Sequence, residues 1–239
     1  MTPVPLLWRG DGLVAVDKPA GSLVVPGRGK GRSPSLREQL EESLGQPVWV
    51  VHRLDRDTSG VLLFALDAAS HRAANLAFER GLFRKSYLAL VSPALDAPRV
   101  VEGALVPARR GRMRLARAGE AGKAARTRLR PVERFSRVGL VEAEPLTGRT
   151  HQIRLHLQLA GSPLLVDAQY GRPSPVTEVS LGGSADTVVL SRTPLHAARL
   201  VLAGGEGLPA LDVEAPLPAD MRAALLFLRR QGATVKAGD

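Results

Sequence analysis

The sequence contains no cysteine. Disulfide scaffolds, cysteine-ligated zinc, iron–sulfur clusters and cysteine nucleophiles are therefore excluded. No apolar run reaches the roughly 18 residues that a transmembrane helix needs, and residues 1–12 lack the basic region and apolar core that predict a signal peptide. Hydrophobic residues make up 44% of the 239 residues and charged residues make up 23%. This composition is typical of a globular protein, and the length suffices for a sizeable core.

Lysine is scarce, whereas arginine is abundant and clustered. The chain has 33 basic residues, of which five are lysine, and 23 acidic ones, so that its formal net charge is +10. Residues 109–137, called the basic segment below, hold eleven basic and two acidic side chains. Guanidinium groups suit phosphate because their planar fork donates two parallel hydrogen bonds. The basic segment is therefore either a nucleic-acid contact or a solvated basic face. The arginines that we expect to meet phosphates are Arg109, Arg110, Arg112, Arg114 and Arg117.

The common motifs for nucleotides, metals and serine hydrolases are also missing. A phosphate-binding loop would need a glycine at position 24 and a serine or threonine at position 31, where the chain has Val24 and Gly31. His151 and His156 are five residues apart, about 140° around a helix, so they cannot share a metal ion as an i,i+4 pair would. Neither GxGxxG after a strand nor GxSxG occurs. We therefore expect no cofactor and no metal.

Apolar periodicity and cap residues predict a single α+β domain over residues 1–239. The apolar runs predict strands at 13–16, 48–51, 61–66 and 85–91. Cap residues predict helices that begin at Ser33-Pro34, at Asp67, at Thr150 and near residue 219. Loops are predicted at 27–33 and 172–187. No linker long enough to separate two domains interrupts these elements.

Three polar segments lie where their apolar flanks predict a buried or cleft setting, and they contain Asp55, Tyr87 and Arg154. Taken singly, such residues are most often a turn aspartate, a core tyrosine and a solvent-facing helical arginine. An arginine and a carboxylate in one cleft of low dielectric constant would, however, keep the carboxylate ionised. An ionised carboxylate is a usable nucleophile.

These segments belong to sequence blocks that resemble the RluA family of RNA pseudouridine synthases. The most specific match is HRLDRDTSG at 52–60 followed by GRTHQIRLHL at 148–157. Five further blocks, in the family's order, extend the resemblance over nearly the whole chain. They are VDKPAGSLVVPG at 16–27, FRKSYLALV at 83–91, GKAARTRLRPVERF at 122–135, PLHAARLVL at 194–202 and APLPADM at 215–221.

The resemblance implies a pseudouridine synthase fold of the α+β class, with a mixed, largely antiparallel sheet in two halves around a catalytic cleft. It implies that Asp55 is the catalytic nucleophile and that Arg154 pairs with it. Arg53 would be associated with the flipped-out base, and Tyr87 would pack on the target uracil. The block KPAG begins at Lys18, so we expect no S4-like RNA-binding domain before it.

The implied activity is isomerisation of uridine to pseudouridine within RNA, a reaction that needs neither cofactor nor metal. The expected partner is RNA, with ribosomal RNA favoured over transfer RNA, and we expect a cytoplasmic monomer that does not bind membranes. One alternative is a non-catalytic RNA-binding or ribosome-assembly factor on the same fold, which would have little use for Asp55. Another is a magnesium-dependent nuclease, which would need more clustered carboxylates than Asp55 and Asp57.

Overall fold

The computed structural model describes residues 4–27, 33–205 and 207–231, together with the backbone of residues 235 and 236. The strands are β1 (Leu6–Gly10), β2 (Leu13–Lys18), β3 (Trp49–Val50), β4 (Ser59–Ala65), β5 (Arg84–Val91), β6 (Arg99–Glu102), β7 (Leu105–Pro107), β8 (Met113–Leu115), β9 (Arg126–Arg134), β10 (Gly139–Pro145), β11 (Val176–Thr177), β12 (Val188–Leu190), β13 (Leu195–Leu202), β14 (Leu211–Glu214) and β15 (Val235–Lys236). The helices are α1 (Leu36–Leu44), α2 (Ala68–Glu79), α3 (Gln152–Leu159) and α4 (Ala219–Arg230).

The chain forms two compact units. Unit 1 comprises residues 1–85 and 196–216, and unit 2 comprises residues 86–195 and 217–239. The assignment of residues 1–239 to one domain stays a prediction. Among the described residues, the strand pairings within each unit are antiparallel except that of β4 with β13. This arrangement confirms the mixed, largely antiparallel α+β class that the sequence predicts.

The central strand of unit 1 is β4. One edge of β4 pairs with β2, and the other pairs with β13 through its first residues and with β3 through its last ones. β1 extends this sheet beyond β2, and β14 extends it beyond β13. Every residue of β4 is buried, which is why the sequence shows an unbroken apolar run rather than alternation. Helix α2 covers one face, where Ala74 and Ala77 pack in the same cluster as Leu63.

The central strand of unit 2 is β10, which pairs with β5 and β9. Successive residues of β5 point to opposite faces, so that Ala89 and Leu90 belong to different hydrophobic clusters. Helix α3 packs through Ile153 on the face of Ala89. Helix α4 packs through Met221 on the face of Leu90. β6 and β15 pair with β9, whereas β7 with β8 and β11 with β12 form two separate two-stranded sheets.

Two predicted helix starts are wrong. Helix α1 is capped by Ser35 rather than Ser33, because the Ser35 hydroxyl accepts the Glu38 N–H while the Glu38 carboxylate accepts the Ser35 N–H. Helix α3 follows His151, whose backbone is left-handed with φ of 56°, so Thr150 is not its cap. Asp67, in contrast, caps α2 as predicted.

One of the two predicted loops differs from expectation as well. The segment 172–187 is not wholly irregular, since it contains the short strand β11 and a single turn of 3-10 helix at Val179–Leu181. Most of the predicted loop 27–33 lies outside the described residues.

Gly60 tests how tightly β4 is held against β13. Its φ is 111°, and a Cβ atom there would lie 2.2 Å from the Ala197 carbonyl oxygen. We expect Gly60→Ala to lower the free energy of unfolding by at least about 3 kcal/mol, through backbone strain and a clash that neither strand can relieve. The matched control is Gly45→Ala, where φ is 64° and the Cβ would meet nothing within 4 Å. There only strain of about 1 kcal/mol should appear in urea unfolding; equal losses would contradict the close approach.

Candidate active site

The loop of residues 52–58 joins β3 to β4 in unit 1 and carries Arg53 and Asp55. Its backbone is held by Lys18, whose side chain is fully buried. The Lys18 ammonium group donates to the carbonyl oxygens of Pro19 at 3.0 Å, Arg56 at 2.8 Å and Thr58 at 2.7 Å. An ammonium group has three N–H donors, and these three carbonyls can accept all of them. A buried charge is costly unless it is hydrogen-bonded, so the loop must keep the conformation that presents these oxygens.

Further contacts fix the same loop at both ends. The Gly21 N–H donates to the Arg56 carbonyl at 2.9 Å, and Arg56 Nε donates back to the Gly21 carbonyl at 3.0 Å. At the start of the loop, His52 Nε2 accepts the Leu63 N–H at 3.1 Å, and the His52 ring stacks on Phe78 with centroids 4.8 Å apart. The loop is therefore tied to the chain before α1, to β4 and to α2.

His52 is neutral and serves as an acceptor. Burial, and secondarily the charge of Lys85, lower the pKa of His52 to about 3. An imidazolium ion could not accept the Leu63 N–H at Nε2, so the lowered pKa and the hydrogen bond agree. His52 therefore supports the loop and is not a general acid or base near neutral pH.

The two predicted site residues of this loop differ in exposure. Asp55 is half-buried, whereas Arg53 is exposed. The Asp55 carbonyl accepts the Thr58 N–H at 3.2 Å, which closes a turn directly after the aspartate. Beyond the turn, the Ser59 hydroxyl bonds His196 Nδ1 at 3.0 Å, and His196 Nε2 bonds the Ala215 carbonyl at 3.2 Å. These bonds fix the strand into which the loop leads.

In unit 2, Arg154 is buried and forms a bidentate ion pair with Asp167. Its Nε donates to Asp167 Oδ2 at 2.8 Å and its Nη2 to Oδ1 at 2.6 Å, while Nη2 also donates to Gln169 Oε1 at 3.0 Å. Two parallel bonds fix the direction of the guanidinium plane as well as its place. Sequence reasoning did not find Asp167 as a partner of Arg154.

The surroundings of Asp167 determine its pKa. Burial alone would raise it, but hydrogen bonds from Arg154, the charge of Arg154 and the N–H groups of Gln169 and Tyr170 outweigh burial and lower the pKa below its ordinary value of 3.8. Asp167 is therefore ionised at neutral pH, and it keeps the buried Arg154 charge compensated.

The start of α3 is held by Gln152, whose side chain is buried and makes four hydrogen bonds. Its Oε1 accepts from the Thr147 hydroxyl at 2.7 Å and the Arg149 N–H at 3.0 Å. Its Nε2 donates to the Arg126 carbonyl at 3.0 Å and the Thr127 hydroxyl at 2.9 Å. Both oxygen lone pairs and both N–H groups are used, so the helix that carries Arg154 is locked to β9.

Tyr87 lies on β5 opposite Ala143 and is half-buried. It packs against the hydrophobic cluster that includes Ile153 of α3. Within unit 2, Tyr87 therefore lies near the helix that carries Arg154. Within unit 1, Arg53 and Asp55 lie on the same loop.

The basic segment falls into two classes of side chain. Five of its arginines form ion pairs with carboxylates: Arg114 with Glu120, Arg126 with Glu102, Arg128 with Glu144, Arg130 with Glu142 and Arg134 with Asp96. Within the described parts of the chain, the remaining six basic residues carry no ion pair: Arg109, Arg110, Arg112, Arg117, Lys123 and Arg137. The positive charge of the segment along β9 is therefore largely neutralised by carboxylates. The unpaired positive charge lies mainly around β7 and β8.

The pairing of Arg114 changes one expectation from the sequence. Arg114 donates through both Nη atoms to Glu120, each at 2.6 Å, and hydrogen bonds from Arg114 are the main cause that lowers the pKa of Glu120 to about 2. Arg114 is thus already bound to a carboxylate fork, whereas its neighbour Arg112 is exposed and unpaired among the described residues. Arg112 is the better candidate for a phosphate.

Two other kinds of site do not occur among the described residues. No group of three or more His, Cys, Asp or Glu side chains that could hold a metal ion occurs among the described residues. Within the same residues, the helices are too short or too polar to cross a membrane.

Known proteins resemble this chain in sequence. The family model described as RNA pseudouridylate synthase matches residues 12–159. Ribosomal large subunit pseudouridine synthase D of Nitrosomonas europaea is 38% identical over 95% of this chain and 66% of its own length. Ribosomal large subunit pseudouridine synthase C of Yersinia pestis is 36% identical over 97% of this chain and 71% of its own length. The chain therefore spans about two thirds of these relatives' length.

Solved structures resemble it in fold. Human RNA Pseudouridylate Synthase Domain Containing 4 aligns with a TM-score of 0.73 over 94% of this chain and 93% of that one, at 24% sequence identity. Human RNA Pseudouridylate Synthase Domain Containing 1 aligns with a TM-score of 0.71 over 95% and 94%, at 23% identity. At these identities the likeness establishes the fold.

The Arg154–Asp167 pair predicts a pH dependence of stability. Asp167→Asn should lower the free energy of unfolding at pH 7 by about 3–5 kcal/mol, because it leaves the buried Arg154 charge uncompensated. The folded-state pKa of Asp167 is lowered, so its contribution is present above its unfolded value of 3.8 and is lost as the pH falls through the folded value. Urea unfolding from pH 7 to pH 2.5 should show the two proteins converging below about pH 4. A gap that stays constant to pH 2.5 would contradict the ionised pair.

Proposed function

Because this chain belongs to the RNA pseudouridylate synthase family, we propose that it isomerises uridine to pseudouridine in RNA. The observation that carries the proposal is the loop of residues 52–58, which places the half-buried Asp55 on a backbone held by the buried Lys18. An attacking group is effective when it is held in a defined geometry, and this loop supplies that rigidity. We assign Asp55 as the nucleophile.

The reaction balances without a redox step or phosphate transfer. The N1–C1′ bond breaks, the uracil turns, C5 bonds to C1′, the C5 hydrogen leaves as a proton and N1 gains one. Attack of Asp55 at C1′, its attack at C6 and its assistance of a glycal route all use an ionised carboxylate.

We assign three further residues to substrate binding. A stacked uridine must leave its helix, at a cost of a few kcal/mol that contacts in the site must offset. Arg53 is exposed on the same loop as Asp55 and would fill the vacated position, while Tyr87 would stack on the uracil. Arg154, whose direction is set by Asp167, would pair with Asp55, as the family resemblance implies.

We propose ribosomal RNA of the large subunit as the substrate, in preference to transfer RNA, and the cytoplasm as the location. The two relatives described above, at 38% and 36% identity, are ribosomal large subunit pseudouridine synthases. Their names support the substrate, and the substrate supports the location.

The activity is tested by Asp55→Asn, with Asp57→Asn as the matched control. Asp57 is exposed on the same loop, so both changes remove one carboxylate from it. Asp55→Asn should reduce tritium release from RNA labelled at uridine C5 by at least about 10³-fold, because an amide is not a nucleophile, while RNA affinity stays near wild type. Asp57→Asn should keep at least half of the rate. A non-catalytic RNA-binding factor would instead show no tritium release in any variant, and an active Asp55→Asn enzyme would contradict the assignment.

We further propose that the hairpin of β7 and β8, residues 105–115, binds RNA phosphates through its tip. Arg109, Arg110 and Arg112 are exposed there and carry no ion pair among the described residues. The tip itself is ordered, since the Ala108 N–H donates to the Arg112 carbonyl at 2.8 Å. Unpaired guanidinium groups on an ordered turn can bind phosphate without first giving up a carboxylate.

The salt dependence of RNA affinity tests this hairpin. Replacing Arg110 and Arg112 with Gln should flatten the log–log slope of affinity against salt by roughly 1.4–1.8, or 0.7–0.9 for each phosphate contact. The control replaces Arg126 and Arg128 with Gln, which removes the same charge from side chains paired with Glu102 and Glu144. The control should change the slope by less than half as much. Equal changes in both proteins would mean that only net charge matters.

A further inference from the structure

Tyr170 contacts three functional parts of unit 2 at once. It lies in the loop after α3, is half-buried, and packs against the hydrophobic cluster that joins Leu155 of α3 to Leu105 of the hairpin. Its backbone N–H donates to Asp167 Oδ1 at 3.1 Å, and its carbonyl accepts from Gln158 Nε2 at 2.9 Å. The main chain of Tyr170 is therefore anchored on both sides, and its side chain has a fixed origin.

The ring of Tyr170 faces Arg154. The guanidinium carbon of Arg154 lies 4.8 Å from the ring centroid, which is the distance of a cation–π contact. Asp167 and Gln169 bind the edge of the same guanidinium group. Bidentate bonds fix a guanidinium in its own plane, whereas an aromatic face limits its movement out of that plane.

The hydroxyl of Tyr170 joins the hairpin to the start of α3. It accepts the Met113 N–H of β8 at 2.6 Å and lies 2.6 Å from His151 Nδ1. The hydroxyl thus joins Met113 of β8 to His151, the residue directly before α3. Met113 directly follows Arg112, so this bond holds the base of the arginine-bearing tip.

We propose that Tyr170 is a positioning residue with two separable roles: its ring holds the Arg154 guanidinium in its working orientation, and its hydroxyl holds the hairpin in its RNA-binding position. The proposal rests on the proposed function, in which Arg154 acts with Asp55 and the hairpin binds phosphate. Neither role requires Tyr170 to touch the reacting uridine. It links substrate binding at the hairpin to the geometry of the arginine.

Two variants separate the roles. Tyr170→Phe keeps the ring and removes the hydroxyl with its bonds to Met113 and His151, so it should weaken RNA affinity at least about threefold. Tyr170→Leu removes both, so it should in addition lower the single-turnover rate at saturating RNA at least about tenfold. The probe is large-subunit ribosomal RNA labelled at uridine C5, prepared from cells that lack the gene. The rate loss of Tyr170→Phe should be less than a third of that of Tyr170→Leu.

A double-mutant cycle with Arg154→Lys shows whether the ring acts through Arg154. Lysine lacks the planar fork, so on this background Tyr170→Leu should lower the rate less than twofold. A tenfold loss on that background would contradict positioning and would indicate a general packing defect. Phe135→Leu, in a core cluster that does not include Tyr170, controls for lost stability: it should lower the melting temperature and leave the rate within about twofold.

An NMR measurement tests the ring contact without turnover. The Arg154 Nε–H signal, identified by its disappearance in Arg154→Lys, should shift in Tyr170→Leu through loss of the ring current and should stay close to its wild-type position in Tyr170→Phe. An unmoved signal in Tyr170→Leu, or an unchanged RNA affinity in Tyr170→Phe, would overturn the proposal. A wild-type protein that forms no pseudouridine would contradict the proposed function instead, and the two would remain distinguishable.

Discussion

One buried ammonium group determines the conformation of the loop on which the proposed nucleophile stands. Lys18 donates to the carbonyl oxygens of Pro19, Arg56 and Thr58, the last two within or at the end of the Asp55 loop. Removing such a charge from water costs several kcal/mol, and the hydrogen bonds to these carbonyls offset part of that cost. These hydrogen bonds give the loop that carries Asp55 an electrostatic reason to keep one conformation. Unit 2 uses the same principle at Arg154, whose buried charge is compensated by Asp167.

The parts of this design that follow from local patterns could be predicted from the sequence. The unbroken apolar run of β4 and the Asp67 cap of α2 each depend on neighbouring residues, and the structure confirms them. Ser33 is not the cap because Ser35 forms a capping box with Glu38. The sequence also contains this serine with a glutamate three residues later. His151 replaced Thr150 at the start of α3 because a left-handed backbone, not a side-chain cap, turns the chain there.

The parts that depend on residues far apart in the chain could not be predicted. In the sequence alone Lys18 is an ordinary turn residue, and only the fold shows that a carbonyl oxygen 40 positions later accepts from it. In the sequence alone Asp167 is an ordinary loop aspartate, and only the fold shows that Arg154 of α3 donates to it. The basic segment shows eleven cations, but the carboxylates that pair with Arg126, Arg128 and Arg134 lie outside the segment. Charge counting locates a basic region, and only the fold shows which of its arginines are unpaired.

The central claim is that this protein forms pseudouridine in large-subunit ribosomal RNA. The most direct measurement maps every pseudouridine in the RNA of cells with the gene, without it and with it restored on a plasmid. We expect one or a few positions in large-subunit ribosomal RNA to lose the modification without the gene and to regain it on restoration. An unchanged map would contradict the claim that the chain acts as an RNA-modifying isomerase, and a loss confined to transfer RNA would contradict the proposed substrate.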